Sequence, residues 1–187
     1  AAVGGAWTQS KHDGGTSVSS NAGVISSAKG ETRTMLLPAV SSDSTDSTIS
    51  FTVSAASTGG GQFASLIGRQ VGSDDYSARV WVQSNGVLQL QLQRSGTTLK
   101  AVNLSGVTYT VGQKIFVRLQ VTGVGTTTVN AKAWTTGAEP GSWLASATDT
   151  TAALQKAGSV GVGAYLSGSA AASATFTVDD YAVTRVG

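Results

Sequence analysis

Residues 76–94 read YSARVWVQSNGVLQLQLQR, and within them Leu88, Leu90 and Leu92 alternate with Gln89, Gln91 and Gln93. Alternation with period two marks a strand with one face in a core, so the leucines are expected inward and the glutamines outward. Before the turn, Ala78, Val80 and Val82 alternate in the same way with Arg79 and Trp81. A two-residue Asn-Gly turn would set Val82 opposite Gln89 and mix the faces, because a slip of one residue exchanges every side chain between the two sides. A three-residue loop, Ser84-Asn85-Gly86, with Gly86 left-handed in a bulge, restores agreement. Val82 then faces Leu88, Val80 faces Leu90 and Ala78 faces Leu92 toward the core, while Trp81 faces Gln89 and Arg79 faces Gln91 outside it. A four-residue loop over 94–97 would next bring Leu99 opposite Leu92 and Lys100 opposite Gln91, adding a lysine to the outward face.

A second hairpin repeats the pattern. Ile115, Val117, Leu119 and Val121 alternate with Phe116, Arg118 and Gln120, and Val129, Ala131 and Ala133 alternate with Asn130, Lys132 and Trp134. With Val121 opposite Val129, Phe116 meets Trp134, Gln120 meets Asn130, and Arg118 lies opposite Lys132. Like charges directly opposite are unfavourable, so the two either splay or hold an anion, or a carboxylate from another strand, between them. Further alternating runs cover 48–55, 160–166 and 175–184, and less regular ones cover 24–28, 33–37, 63–71 and 99–104. Turn-forming clusters at 42–46, 59–61, 95–96 and 123–125 separate them. About a dozen short strands joined by turns point to an all-β, two-sheet antiparallel β-sandwich. The only helix-like fragment is TTAALQK at 150–156, one or two turns at most.

The 187 residues, 40% of them hydrophobic, suffice for one domain over 1–187. Twelve Lys and Arg against ten Asp and Glu leave a net charge of +2 with no basic cluster, which gives no electrostatic footprint for nucleic acid. No apolar run approaches the ~18–20 residues of a membrane span, so no membrane insertion is expected, and the N-terminal AAVGGAWT lacks the regions of a signal peptide. Cysteine is absent, which excludes disulfides and thiolate metal sites. The low charge and the Ser/Thr/Gly-rich surface are associated with secreted or cell-surface modules, and a monomer is expected.

The runs VGQKIFVRLQVTGVGTTTVNAKAWTTGAEPGSW at 111–143, LQKAGSVGVGAYLSGSA at 154–170 and TFTVDDYAV at 175–183, with GRQVGSDDYSARVWV upstream at 68–82, carry a resemblance. They resemble the concanavalin-like, laminin-G-like β-sandwich domains appended to large secreted proteins of actinobacteria, many of them carbohydrate-active. The resemblance implies a concanavalin-like jelly roll excised from a larger secreted protein, with polysaccharide or oligosaccharide as the partner. It is specific for fold, whereas function resides in a site that a fold does not dictate.

Glycoside hydrolysis needs two carboxylates flanking one bond, one of them with a raised pKa. The only glutamates are Glu31 and Glu139, and Glu139 lies in a Gly-Ala-Glu-Pro-Gly turn that exposes it. The Glu-x-Asp-x-x-Glu pattern of concanavalin-like glucanases is absent. The sole histidine, His12, sits in the polar segment SKHDGG and reads as a surface residue. No Gly-x-Ser-x-Gly, phosphate-loop or His-x-x-x-His motif occurs. Catalysis is therefore the least supported class, and no catalytic residue is expected. Asp179 and Asp180 interrupt the parity between Phe176/Val178 and Tyr181/Val183, so a bulge is expected there; the pair either caps that bulge or joins loop carbonyls as Ca²⁺ ligands. Asp74 and Asp75 read as turn formers.

Trp7 and Trp143 fall in or beside turns, whereas Trp81 and Trp134 take the outward parity of strands whose inward residues are already apolar. An outward aromatic is either covered by a loop or open for binding. Pyranose rings stack their C–H faces on indole while their hydroxyls pair with amides and guanidinium groups. On that chemistry the expected carbohydrate-binding residues are Trp81, Gln89, Gln91 and Arg79, with Trp134 and Arg118. The alternatives are a structural or adhesive spacer, in which the glutamines are only a solvated face, and, third, a polysaccharide-degrading domain.

Overall fold

The structure, a computed structural model, describes residues 5–11 and 13–186; His12 lies outside the described residues. Its strands are β1 (Thr8–Lys11), β2 (Thr16–Ser19), β3 (Ala22–Ser27), β4 (Thr32–Ser42), β5 (Thr45–Val53), β6 (Gln62–Val71) and β7 (Asp74–Val82). The remainder are β8 (Val87–Arg94), β9 (Thr97–Thr108), β10 (Ile115–Thr122), β11 (Thr127–Trp134), β12 (Ala145–Asp149), β13 (Gly158–Leu166) and β14 (Ala174–Arg185). Two seven-stranded sheets form, in the orders β1-β4-β13-β6-β7-β8-β9 and β12-β11-β10-β5-β14-β3-β2. Neighbouring strands are antiparallel. The expected sandwich is the observed one, and the helix-like fragment is a single 3₁₀ turn, Ala152–Leu154.

One core lies between the sheets. Val80, Val82, Leu88, Leu90 and Leu92 from the first sheet are fully buried against Val53, Ile115, Leu119, Val121 and Val129 from the second. Burying each such side chain contributes roughly 1.5–3 kcal/mol, so the alternation seen in the sequence is the main driving force for this pairing. The β7–β8 register is the expected one: Val82 pairs with Leu88, Trp81 with Gln89, Val80 with Leu90, Arg79 with Gln91 and Ala78 with Leu92. Gly86 takes φ +82°, as the bulged loop requires. The β10–β11 register, including Phe116 opposite Trp134 and Arg118 opposite Lys132, also matches.

The β8–β9 connection differs from expectation. Ser95 (φ +47°) and Gly96 (φ +82°) make a two-residue turn that pairs Arg94 with Thr97, and the ladder then slips between Gln93 and Leu92. Lys100 therefore faces Leu92, Ala101 faces Gln91, and the lysine does not join the glutamine row. The cluster 42–46 is also shorter as a turn than its composition suggests, because Thr45 and Asp46 already belong to β5. Strands β1, β2 and β12 were not legible as strands; all three are edge strands of their sheets, and their sequences TQSK, TSVS and ASATD carry little apolar alternation. The expected bulge in β14 is present: its pairing with β5 shifts between Asp179 and Ala182, with Asp180 at φ +54°.

One end of the sandwich is tied by Arg69. A bulge in β6 beside it turns this wholly buried side chain toward the ends of the strands. Its guanidinium donates to Thr127 Oγ1 at 2.9 Å, to the Leu154 carbonyl at 2.8 Å, to the Gly123 carbonyl at 2.9 Å, and to the Asp43 carbonyl. Burial lowers its pKa from the ordinary value. Beside it, the Tyr76 hydroxyl donates to Asp149 Oδ1 at 2.6 Å, and Arg94 Nη1 donates to Asp149 Oδ2 at 2.7 Å.

Candidate functional site

The outward face of the first sheet is a grid set by strand register. One row runs Thr32, Tyr165, Phe63, Trp81, Gln89, Asn103; the next runs Lys11, Thr34, Gly163, Ser65, Arg79, Gln91. In the first row Phe63 stacks on Trp81 (centroids 5.6 Å apart, planes at 13°), and Tyr165 tilts against the other side of Phe63 at 5.4 Å. In the second, Gly163 has no side chain and Ser65 a short one, so the surface dips beside the aromatic row. The dip opens into a groove of about 640 Å³ lined by Lys11, Thr34, Ser65, Asp75, Ser77, Arg79, Gln93, Gly163 and Tyr165, among others. That volume falls within the ~300–1,000 Å³ typical of small-molecule sites.

Polar groups on this face are held by one another. Gln91 Oε1 accepts from Arg79 Nε at 3.0 Å and Nη2 at 2.8 Å, Gln91 Nε2 donates to Gln89 Oε1 at 2.6 Å, and Gln89 Nε2 donates to Asn103 Oδ1 at 2.9 Å. With its amide turned to satisfy its neighbours, Gln93 also accepts from Arg79, at 3.2 and 2.7 Å. The guanidinium lies over the Phe63 ring at 4.9 Å. Burial lowers the Arg79 pKa, opposed by the charges of Asp75 and Tyr165. Burial pushes the Asp75 carboxyl up, against a hydrogen bond from Ser77 and the positive charges of Lys11 and Arg79.

The six expected binding residues do not form one site. Trp81, Arg79, Gln89 and Gln91 share the outer face of the first sheet, whereas Trp134 and Arg118 lie on the outer face of the second. Trp81 is half-buried: Phe63 takes one ring face, Nε1–H donates to the Gly60 carbonyl at 3.0 Å, and Gly61 packs against its edge. It stands beside the groove rather than lining it. The groove residues that sequence reasoning missed are Tyr165, Ser65, Gly163, Asp75 and Gln93. Tyr165 was accessible in principle, because Val160, Val162, Ala164 and Leu166 point inward and place it outward.

On the second sheet Phe116 and Trp134 stack with centroids 5.4 Å apart. The Arg118–Lys132 repulsion is resolved by carboxylates from β5 and from the loop after β11. Asp46 takes Arg118 Nε at 2.7 Å and Nη2 at 2.9 Å, and Glu139 bridges Arg118 Nη1 at 2.9 Å and Lys132 Nζ at 2.8 Å. Trp143 covers both cations, with Lys132 Nζ 4.9 Å from its ring centroid. Glu139, although in an exposed turn, is thus an ion-pair partner, and hydrogen bonds from Lys132 and Arg118 lower its pKa. Asp180 accepts from Ser50 at 2.7 Å and from Lys114 at 3.0 Å, and Lys114 also lies 3.9 Å from Asp179. Both carboxylates are thereby engaged, and among the described residues no cluster of three or more His, Asp or Glu that could hold a metal ion occurs. No helix among the described residues is long and apolar enough to cross a membrane.

No protein-family model and no curated protein matches the sequence. Solved structures do match the fold. A carbohydrate-binding module, CBM66, from Bacillus subtilis superposes with a TM-score of 0.64 at 13% identity, covering 95% of this chain and 94% of that one. The metal-free carbohydrate recognition domain of Emp46p gives 0.55 at 9% identity, over 93% and 88%. A Bacteroides ovatus xyloglucan-locus protein, GH43B, gives 0.57 at 12% identity over 96% of this chain but only 36% of that one. At these identities the likeness is one of fold.

Proposed function

We propose that this protein is a non-catalytic carbohydrate-binding module of a larger secreted or cell-surface protein, with its ligand lying in the groove on the outer face of the first sheet. The observation that carries the reading is the groove itself. An aromatic ring, Tyr165, borders a small-residue floor of Ser65 and Gly163, and strand-borne Arg79, Gln93, Ser77 and Asp75 supply donors and acceptors around it. Tyr165 offers the apolar face for stacking a sugar ring, a role the sequence alone had pointed to in Trp81. The names of the superposing structures, a carbohydrate-binding module and a carbohydrate recognition domain, support the same reading. Among the described residues that line the groove there is one carboxylate, Asp75, where hydrolysis needs two flanking the bond.

The test is a pull-down against a panel of insoluble and soluble polysaccharides. Tyr165→Ala should weaken retention by roughly 1–3 kcal/mol, the scale of an aromatic hot spot, in protein that circular dichroism shows to be folded. No reducing ends or unsaturated products should accumulate. A spacer is the second reading, favoured by the closure of the amide ladder on itself; retention on no polymer would decide for it.

A further inference from the structure

We infer that the groove selects sugars bearing a carboxylate, with Arg79 as the anchor of that group; the inference rests on the carbohydrate reading above. Two other arginines, Arg69 and Arg185, donate to backbone carbonyls away from the groove, and the remaining three meet a carboxylate. Arg33 pairs with Glu31, Arg94 with Asp149, and Arg118 with both Asp46 and Glu139. Arg79 has no carboxylate within ion-pair distance among the described residues. Its acceptors are the neutral amides of Gln91 and Gln93, which take Nε and Nη2, while Nη1 makes no hydrogen bond among the described residues. A half-buried cation fixed by neutral amides retains positive charge toward the groove, and its free Nη1 offers charge-assisted donors to a carboxylate oxygen.

The surroundings favour this ligand chemistry over a bare anion. Phe63 lies under the guanidinium at 4.9 Å and fixes its plane, and Tyr165 borders the same groove, so a charged group attached to a stackable ring meets both. Lys11 occupies the same row four strands away, roughly 19 Å between backbones at ~4.8 Å per strand, and also lines the groove. Asp75 stands further along β7 and would repel a second anionic group, so it is suited to a sugar hydroxyl instead. The Arg118–Lys132 pair, by contrast, is already neutralised by Asp46 and Glu139 and exerts no such selection.

The experiment is affinity electrophoresis of the full chain in gels containing polygalacturonate, alginate, hyaluronan or polysialic acid, each paired with its carboxyl-reduced derivative, plus neutral xylan and dextran sulfate. Retention by at least one acidic polymer, lost on carboxyl reduction and weakened by added salt, is the expected result. Arg79→Gln should reduce that retention at least tenfold, Arg79→Lys should restore part of it, and Lys29→Gln, an exposed lysine outside the groove, should leave it unchanged. Near-ultraviolet circular dichroism of each variant checks the fold. Retention by xylan or a carboxyl-reduced polymer that Tyr165→Ala abolishes and Arg79→Gln does not would overturn the carboxylate inference while leaving the glycan reading intact. Equal retention by dextran sulfate would overturn it as unspecific charge attraction, and retention by none of the sugars would remove the glycan reading itself.

Discussion

At the scale of the residue, Trp81 carries contacts on three sides. Phe63 stacks on its face, the Gly60 carbonyl takes its N–H, and Gly61 leaves no room at its edge, where an added Cβ would lie 2.2 Å from Nε1. Outward parity alone implies a side chain away from the core, whose loss leaves stability nearly untouched. The contacts predict otherwise: Trp81→Ala should lower unfolding free energy by about 1–3 kcal/mol, measured by urea titration, because a stacked aromatic pair and a side-chain hydrogen bond are lost together. The orientation of Trp81, Arg79, Gln89 and Gln91 was legible because parity along β7 and β8 and one turn between them determine it. The partners were not, since Phe63 and Tyr165 arrive from β6 and β13, whose positions depend on sheet order. Arg118 shows the same limit: its clash with Lys132 was visible in the hairpin, but Asp46 and Glu139 come from outside it.

At the scale of the element, β13 is the strand whose composition shapes the groove. It alternates Val160, Val162, Ala164 and Leu166 into the core with Ser159, Gly161, Gly163 and Tyr165 outward, so two of its outward positions have no side chain. Those two glycines are not equivalent. A Cβ at Gly161 would lie 2.3 Å from the Met35 carbonyl of β4, whereas one at Gly163 would meet nothing nearer than 3.3 Å. Gly161→Ala should therefore cost roughly 1–3 kcal/mol by forcing β4 and β13 apart, and Gly163→Ala should cost less, a contrast that paired thermal melts would resolve. The long inner strands were legible because burial on one face imposes alternation. Strands β1, β2 and β12 are peripheral, and without a fully buried face no such pattern is imposed on them. The β8–β9 slip was hidden for another reason: Ser95 adopts a left-handed conformation that its residue type does not advertise.

At the scale of the whole molecule, the polar end built around Arg69 and Asp149 sets the response to pH. Burial alone would raise the Asp149 pKa, but hydrogen bonds from Tyr76, Thr151 and Arg94 outweigh it and hold the carboxyl at about 2. A carboxylate held below its unfolded value stabilises the fold above pH ~4, and that contribution fades as pH falls toward 2. The side chain is only 8% exposed, so the loss should amount to about 2 kcal/mol, seen as a falling melting temperature between those limits and absent in Asp149→Asn. Tyr76, raised to about 12 first by burial and then by Asp149, contributes in the opposite sense, its support lasting to alkaline pH and vanishing above it. That end of the sandwich is thus cross-linked through β6, β7, β8, β11, β12 and the 3₁₀ turn, while the wall of the groove that carries Lys11 is β1, a four-residue edge strand that pairs with β4 through an irregular ladder. The difference has a mechanical meaning. Tension on the chain ahead of β1 would unzip that strand rung by rung before it strained the interior, so a domain pulled from that side would lose the Lys11 wall of its groove under load while still folded.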